Sequence, residues 1–358
     1  MGLVGIGIIG CGRITEKHIA TLSRLATAQV VALSDVSQDR MNVAYRQLRT
    51  AAPHNGEVAM YTDYELLLEH AEVDVVVITA ANGQHADMAG QALLAGKHVI
   101  VEKPLALSLE DSRLLTQLAR RLKLKLLVCH QMRYRLFMQR IRDYIRDGLL
   151  GKIHYGVASL AITRSPHNNL GVRRNGTWEQ DGGMLLNEGI HLVDLLLWYM
   201  GELDSVYGEL HKVQEGKEME DIALAIFSFK DGSKGLIEAN TITSPAHYGY
   251  SIRLFAEKGT VIVGGSQLDR IERFEVNGIQ VQDAVLRLWE EDRDEQLRMY
   301  EAYIRQIQGI SQPMIVDATE ADKALEAIFA VYKSSVEGRK VTLPLSHFDI
   351  QSMNGIWQ

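Results

Sequence analysis

The chain has 358 residues, 46% hydrophobic and 23% charged, an ordinary balance for globular domains that excludes disordered and fibrous classes. Its formal net charge of −7 comes from interspersed acids and bases, so no face is built to neutralise phosphate backbones and no nucleic-acid partner is expected. The most apolar stretches, Val73 to Ala81 and Leu192 to Met200, fall short of the roughly 20 residues of a membrane span, and Met1 to Gly10 is not a basic-then-apolar leader. We expect no membrane association and a cytoplasmic protein, with Cys11 and Cys129 as reduced thiols lacking metal-type spacing.

Leu3 to Ile9 reads as a buried strand, followed by the turn Gly10-Cys11-Gly12-Arg13-Ile14-Thr15 and helical spacing through Ile19, Leu22 and Leu25. A strand, a glycine turn and a helix let backbone N–H groups approach a pyrophosphate, which the positive end of the helix favours. Gly10, Gly12, Arg13 and Ile14 are the candidate contacts, and Thr15 stands where a third glycine is expected. Gln29 to Ser34 reads as the next strand and ends in Asp35, about 20 residues past the turn. A carboxylate there accepts from a ribose 2′-hydroxyl and repels a 2′-phosphate, so NAD is favoured over NADP.

The alternation continues with helices over Ser37 to Ala51 and Asp63 to His70, a β-branched strand from Val73 to Thr79, a helix from Asn82 to Ala95 and a strand from His98 to Val101. This spacing predicts an α/β fold beginning with a doubly wound parallel sheet. Residues just past the carboxyl ends of such strands line the ligand crevice, so Glu102-Lys103-Pro104 aims Lys103 at the cofactor. Thr79, Asn82, His85, Glu102 and Gln131 are further candidate cofactor contacts. Leu126 to Cys129 closes this first domain, residues 1–129, and His130-Gln131 is the crossing into a second, residues 130–358.

Met132 to Asp147 reads as a helix rich in arginine, most of it expected at the surface, before an alternating strand from Ile153 to Thr163. Arg133 and Arg164 are singled out because each is placed to clamp a phosphate or carboxylate bidentately. Asp181 to Gly201 then reads as one buried helix with a polar seam: Asn187, His191, Asp194 and Trp198 recur at helical spacing. Strands follow at Ser205 to Val213, Ala223 to Lys230, Ser233 to Thr243, Tyr250 to Glu257, Thr260 to Val263 and Arg270 to Val276. Turn signals at Asp231-Gly232 and Lys258-Gly259 make this sheet mostly antiparallel, large and open. Amphipathic helices are predicted over Leu286 to Ile307 and Ala318 to Ser335.

The glycine turn, Glu102-Lys103-Pro104, and Gly182-Gly183 followed by Gly189-x-His191-x-x-Asp194 together resemble the Gfo/Idh/MocA oxidoreductases over nearly the whole chain. The resemblance implies a Rossmann domain followed by an α/β domain with a large open sheet, NAD as cofactor, and Lys103 and His191 meeting the reacting hydroxyl. It also implies a homodimer or homotetramer formed through the second-domain sheet. Many members carry Asp where this chain has Asn187. Asn187 is normal in the group that oxidises the 3-hydroxyl of UDP-N-acetylglucosamine or its uronate. Gln131-x-Arg133-Tyr134, Thr163-Arg164, Gly176-Thr177-Trp178-Glu179-x-Asp181-Gly182-Gly183 and Glu257-Lys258-Gly259-Thr260-Val261 are also similar to that group. This makes Arg133, Arg164, Trp178, Asn187 and His191 candidate substrate contacts, while Pro166-His167-Asn168-Asn169 replace expected aromatic residues.

The expected reaction moves hydride from a carbinol carbon to NAD while a positioned base takes the hydroxyl proton. Burial and the positive nicotinamide both favour a neutral Lys103 amine, and the ordinary imidazole pKa near 6.5 suits His191 to the same task. Asn187 orients without accepting the proton. A dehydrogenase of a free sugar or polyol is the alternative; a dinucleotide-binding regulator is expected to lack the lysine or the histidine, and both are present.

Overall fold

Branched apolar runs bounded by turn residues form β1 (Val4–Ile9), β2 (Ala28–Ser34), β3 (Ala59–Tyr61), β4 (Val75–Ile78), β5 (His98–Val101) and β6 (Leu126–Val128). In this computed structural model, which describes residues 2–52, 56–163, 176–310 and 316–357, they alternate with helices. These are α1 (Arg13–Leu22), α2 (Gln38–Ala51), α3 (Tyr64–Leu68), α4 (His85–Leu94) and α5 (Leu109–Leu122). The strands form one parallel sheet in the order β3-β2-β1-β4-β5-β6. All of Val75, Val76, Val77 and Ile78 are buried, as a sheet covered on both faces requires.

Register fixes where the ends of these strands fall. Ile9 lies opposite Ser34 on one side and Ile78 on the other, Ile78 opposite Val101, and Val101 opposite Val128. The residues that follow, Gly10, Asp35, Thr79, Glu102 and Cys129, therefore stand in one row. The chain order reverses between β1 and β4, which is where open α/β sheets bind ligands. This unit takes in the chain up to Leu107, Asp111–Tyr134 and Asp294–Ala321, so the chain returns to it late. The returning helix, Glu295–Ile307, buries Met299, Tyr300, Tyr303 and Ile304 in the same core. Tyr303 Oη lies 2.7 Å from the carbonyl oxygen of Val99 and 2.8 Å from that of Lys125, tying the helix to the sheet.

The second unit contains α6 (Leu136–Arg146), β7 (Ile153–Ala161), α7 (Trp178–Asp181), α8 (Met184–Asn187) and α9 (Ile190–Met200). There follow β8 (Leu203–His211), β9 (Ile222–Phe229), β10 (Lys234–Asn240), β11 (Gly249–Ala256), β12 (Gly259–Gly264), β13 (Arg270–Val276) and α10 (Asp283–Glu291). The returning helix is α11; α12 (Ala318–Glu337) and β14 (Val341–Thr342) come after it. Eight strands pair in the order β13-β12-β11-β7-β10-β9-β8-β14, antiparallel except for the parallel β7–β10 pair. α9 packs on this sheet where Gly156 leaves room: a Cβ there would run into Met200 and Leu196. Among the described residues no helix is long and apolar enough to cross a membrane.

Four expectations need correction. The predicted helix from Asp181 to Gly201 is broken into α7, α8 and α9. Gly182 and Gly183, at φ +79° and +102°, end the first piece and start the next in conformations that other residues rarely adopt. The predicted helix from Leu286 to Ile307 is interrupted between Glu291 and Glu295. α5 was not predicted, although Leu109, Ser112, Leu115, Thr116 and Ala119 bury one helical face. Arg135 was expected on the surface with its neighbours, yet it is 2% exposed, its Nη1 donating to the carbonyls of Gln267 (2.9 Å) and Leu268 (2.8 Å).

Candidate active site

The glycine turn is held from below by two threonines. Gly10, at φ +93°, packs so close to β4 that a Cβ would stand 2.8 Å from the backbone nitrogen of Ala80. Its carbonyl accepts from Thr79 Oγ1 at 2.6 Å and from Thr15 Oγ1 at 2.8 Å. Thr15, in the place of the third glycine, thus fastens the turn through its hydroxyl. Thr79 is 5% exposed and serves the same purpose. Over Gly12 the space is open: a Cβ would meet nothing within 4 Å, and no side chain caps the start of α1. Arg13 and Ile14 are exposed on its first turn. An open cradle at a helix N-terminus fits a pyrophosphate.

Asp35, just past β2, accepts from the Cys11 N–H at 2.7 Å and the Ser37 N–H at 2.8 Å, which fixes its carboxylate beside the turn. Burial and then the charge of Asp35 push the Cys11 thiol up to about 12, so it stays protonated. Asn82 begins a short 3₁₀ turn, Asn82–Gln84, leading into α4, and is half-buried. Gln131 lies past the carboxyl end of β6; its Oε1 is buried and has no hydrogen-bond partner among the described residues, an orphan acceptor that a bound group would satisfy.

The Glu102-Lys103-Pro104 turn is gripped at both ends. Glu102 is 9% exposed; its Oε1 lies 2.9 Å from His18 Nε2, and its Oε2 accepts from the Lys103 N–H at 3.3 Å. Burial penalises the charged carboxylate, but the hydrogen bond from His18, with Lys103 and His85 nearby, outweighs it and holds the carboxyl below its ordinary range. His85, also buried, lies with Nδ1 2.7 Å from the Pro104 carbonyl and Nε2 3.1 Å from that of Ala80. Burial lowers its pKa, so the ring donates through one nitrogen, and the shorter contact, to Pro104, is the better bond. The His85 ring is thus occupied with the turn, and the Lys103 side chain rises from that turn half-buried.

In the second unit, Asn187 ends α8 and is 8% exposed, whereas His191 stands in the first turn of α9 and is half-buried. They belong to two helices separated by Glu188-Gly189. α8 is anchored by a buried pair: Glu220 Oε1 accepts from the Leu185 N–H (2.8 Å) and from the Tyr332 hydroxyl (3.0 Å), while Tyr332 Oη accepts from the Leu186 N–H (3.1 Å). Trp178 is 1% exposed and meets Tyr332 edge-on, ring centroids 5.6 Å apart, so its indole packs the core beneath Gly183. Arg133 is 1% exposed, with Nη1 3.2 Å from Glu320 Oε2. Arg164 and the Pro166 to Asn169 segment lie outside the described residues. Sequence reasoning missed His18, Glu220 and Tyr332, because each acts on a partner distant in the chain, and it registered Thr15 only as the missing third glycine.

Residues 4–130 match the family profile described as an oxidoreductase family with an NAD-binding Rossmann fold, and residues 138–262 match the GFO/IDH/MocA C-terminal domain. The chain belongs to the Gfo/Idh/MocA family. It is accordingly an NAD-dependent oxidoreductase, and the open cradle over Gly12 beside Asp35 suits that cofactor. The structure is similar to the WlbA dehydrogenase of Bordetella pertussis, crystallised with NADH and UDP-GlcNAcA, at TM-score 0.88 and 27% identity, covering 96% of this chain and 99% of that one. The sequence is similar to the myo-inositol 2-dehydrogenase of Thermotoga maritima, 26% identical over 94% of this chain and 98% of that protein. It is 27% identical to the D-glucoside 3-dehydrogenase of Escherichia coli over 94% of this chain and 97% of that protein.

Proposed function

We propose that this oxidoreductase removes hydride from a secondary hydroxyl of a sugar, at C3 of a UDP-linked amino sugar or its uronate. The observation that carries this reading is the similarity to WlbA, which extends through both domains and 96% of the chain. Bound NAD supplies the hydride acceptor. The chain supplies the amine of Lys103 and the imidazole of His191 to take up the hydroxyl proton, and the amide of Asn187 to orient without accepting it. The second unit, with Asn187 and His191, holds the sugar. Incubating the purified protein with NAD and a panel of UDP-N-acetylglucosamine, its uronate, myo-inositol and simple glucosides, while following NADH absorbance, tests the assignment. Turnover confined to UDP-sugars, with a C3 ketone by NMR, is expected; turnover confined to free sugars refutes it.

A second reading, oxidation of a free sugar or polyol, is favoured by the myo-inositol and glucoside dehydrogenases that match over 94% of the chain. The same panel decides between them.

We also infer a homodimer or homotetramer formed through the eight-stranded sheet. Alternation along β9 buries Ala223, Ala225 and Phe227 and leaves Leu224 and Ile226 about half exposed (50% and 51%), with Tyr207 opposite Ile226 in register. Tyr155 and Phe255 stack on neighbouring strands, ring centroids 5.9 Å apart, both more than a third exposed. Arg253 and Glu238 neutralise each other at 3.0 Å. An exposed apolar patch of this kind suits a second copy of itself.

A further inference from the structure

His18 lies on the inner side of α1 and is 0% exposed, so each ring nitrogen must find a partner within the fold. Nδ1 is 2.6 Å from Tyr300 Oη and 3.3 Å from Gln296 Nε2, both on α11; Nε2 is 2.9 Å from Glu102 Oε1. The Gln296 amide nitrogen can only donate, and burial lifts the Tyr300 pKa well above 10, so that hydroxyl keeps its proton. Nδ1 is therefore the acceptor and Nε2 carries the proton donated to Glu102. Cys129, just past β6, faces the same carboxylate; burial and then the charge of Glu102 raise its pKa well above the ordinary value. His18, Glu102 and Cys129 offer atoms within 4.8 Å of one another, but the 2.9 Å separation of imidazole and carboxylate is that of a shared proton, and the thiol is held protonated.

We propose that His18 and Tyr300 are positioning residues for Lys103. Tyr300 and Gln296 fix the tautomer and the plane of His18; His18 fixes the Glu102 carboxylate; and Glu102, through the Lys103 N–H at 3.3 Å, fixes the backbone from which the lysine side chain rises. His85 holds the other end of that turn at the Pro104 carbonyl. The device touches neither the cradle over Gly12 nor Asp35, so its loss misplaces the amine without loosening NAD. This rests on the proton-transfer role proposed for Lys103.

The test measures kcat, the KM of each substrate and the NADH dissociation constant by fluorescence for five variants. His18→Leu and Glu102→Gln should each lower kcat by about 10- to 100-fold, the cost of a misplaced catalytic group. NADH affinity should stay within about threefold of the parent, too small a change to reflect a lost hydrogen bond to charge. His18→Gln, whose amide N–H reaches toward Glu102 as Nε2 does, should recover most of the loss. Tyr300→Phe, milder and safer for folding, should lower kcat in the same direction. Lys103→Ala is the control for the underlying role. If Lys103→Ala abolishes turnover while His18→Leu, or Tyr300→Phe should the leucine variant not fold, leaves kcat unchanged, the positioning device is refuted alone. Equal losses of kcat and NADH affinity with no rescue by His18→Gln also refute it. If Lys103→Ala keeps near-normal turnover, the role of Lys103 is refuted, and the device with it.

Discussion

Replacing Glu220 by glutamine should stabilise the protein at alkaline pH and leave it nearly unchanged in acid. Glu220 is 0% exposed, and its Oε2 is buried without a hydrogen-bond partner among the described residues. Burial lifts its pKa from 4.5 to about 7, against the opposing pull of the Leu185 and Met184 N–H groups and the Tyr332 hydroxyl. Between those two values the folded protein binds a proton that the unfolded chain has released, so stability falls as pH rises through the window and levels off above it. Each pH unit removes about 1.4 kcal/mol, and the whole window about 3 kcal/mol. Glutamine cannot ionise, and its Oε1 keeps the acceptor role toward Leu185 and Tyr332. Urea unfolding of parent and Glu220→Gln at pH 4.5 and pH 8 should show the variant gaining about 3 kcal/mol between the two conditions, which thermal unfolding would read as about 4 °C in melting temperature. An equal difference at both pH values would mean that Glu220 does not change charge in the folded protein.

Four further outcomes follow from the geometry. Gly10→Ala forces a positive φ and a Cβ 2.8 Å from the Ala80 nitrogen, so thermal unfolding should show a loss of about 1–3 kcal/mol and NADH binding should weaken. Asp35→Asn removes the charge that repels a 2′-phosphate; isothermal titration should show NAD binding weakened by about tenfold or more and the preference over NADP reduced. His191→Ala should lower kcat by about 10²- to 10⁴-fold in steady-state assays with an unchanged fold by circular dichroism. Ile226→Lys places a charge on the exposed sheet face; light scattering should show a shift toward monomer, with the melting profile of the monomer retained.

The parallel sheet was legible because strands buried on both faces read as unbroken apolar runs, and the row of site residues follows from where those runs stop. Asp35 and the Glu102-Lys103-Pro104 turn were singled out as candidates that way. The antiparallel sheet was legible from alternation and from Asp231-Gly232 and Lys258-Gly259. Periodicity was a poorer guide at the polar seam. Asn187 and His191 recur at helical spacing, yet a glycine at 189 lies against the preceding turn, where a Cβ would be 2.7 Å from Leu185 Cδ1, and the backbone departs from one helix into two. Spacing counts residues and cannot register such a break.

The buried polar residues escaped for a different reason. Arg135 looked like a solvated position because surface is the default for arginine, and Arg133 was read as a substrate clamp; their partners in the fold, the carbonyls of Gln267 and Leu268 and the carboxylate of Glu320, lie 132, 133 and 187 residues away. His18 is the same case: Glu102 is 84 residues on and Tyr300 282. A local pattern reports the face of an element, not which distant group meets it. Glu102 shows what that omission hides. From its place at the end of a parallel strand it reads as a cofactor contact, the residue that the crevice rule selects. In the fold its carboxylate turns inward to His18, Cys129 and the Lys103 N–H, a set of partners that its place at a strand end does not disclose.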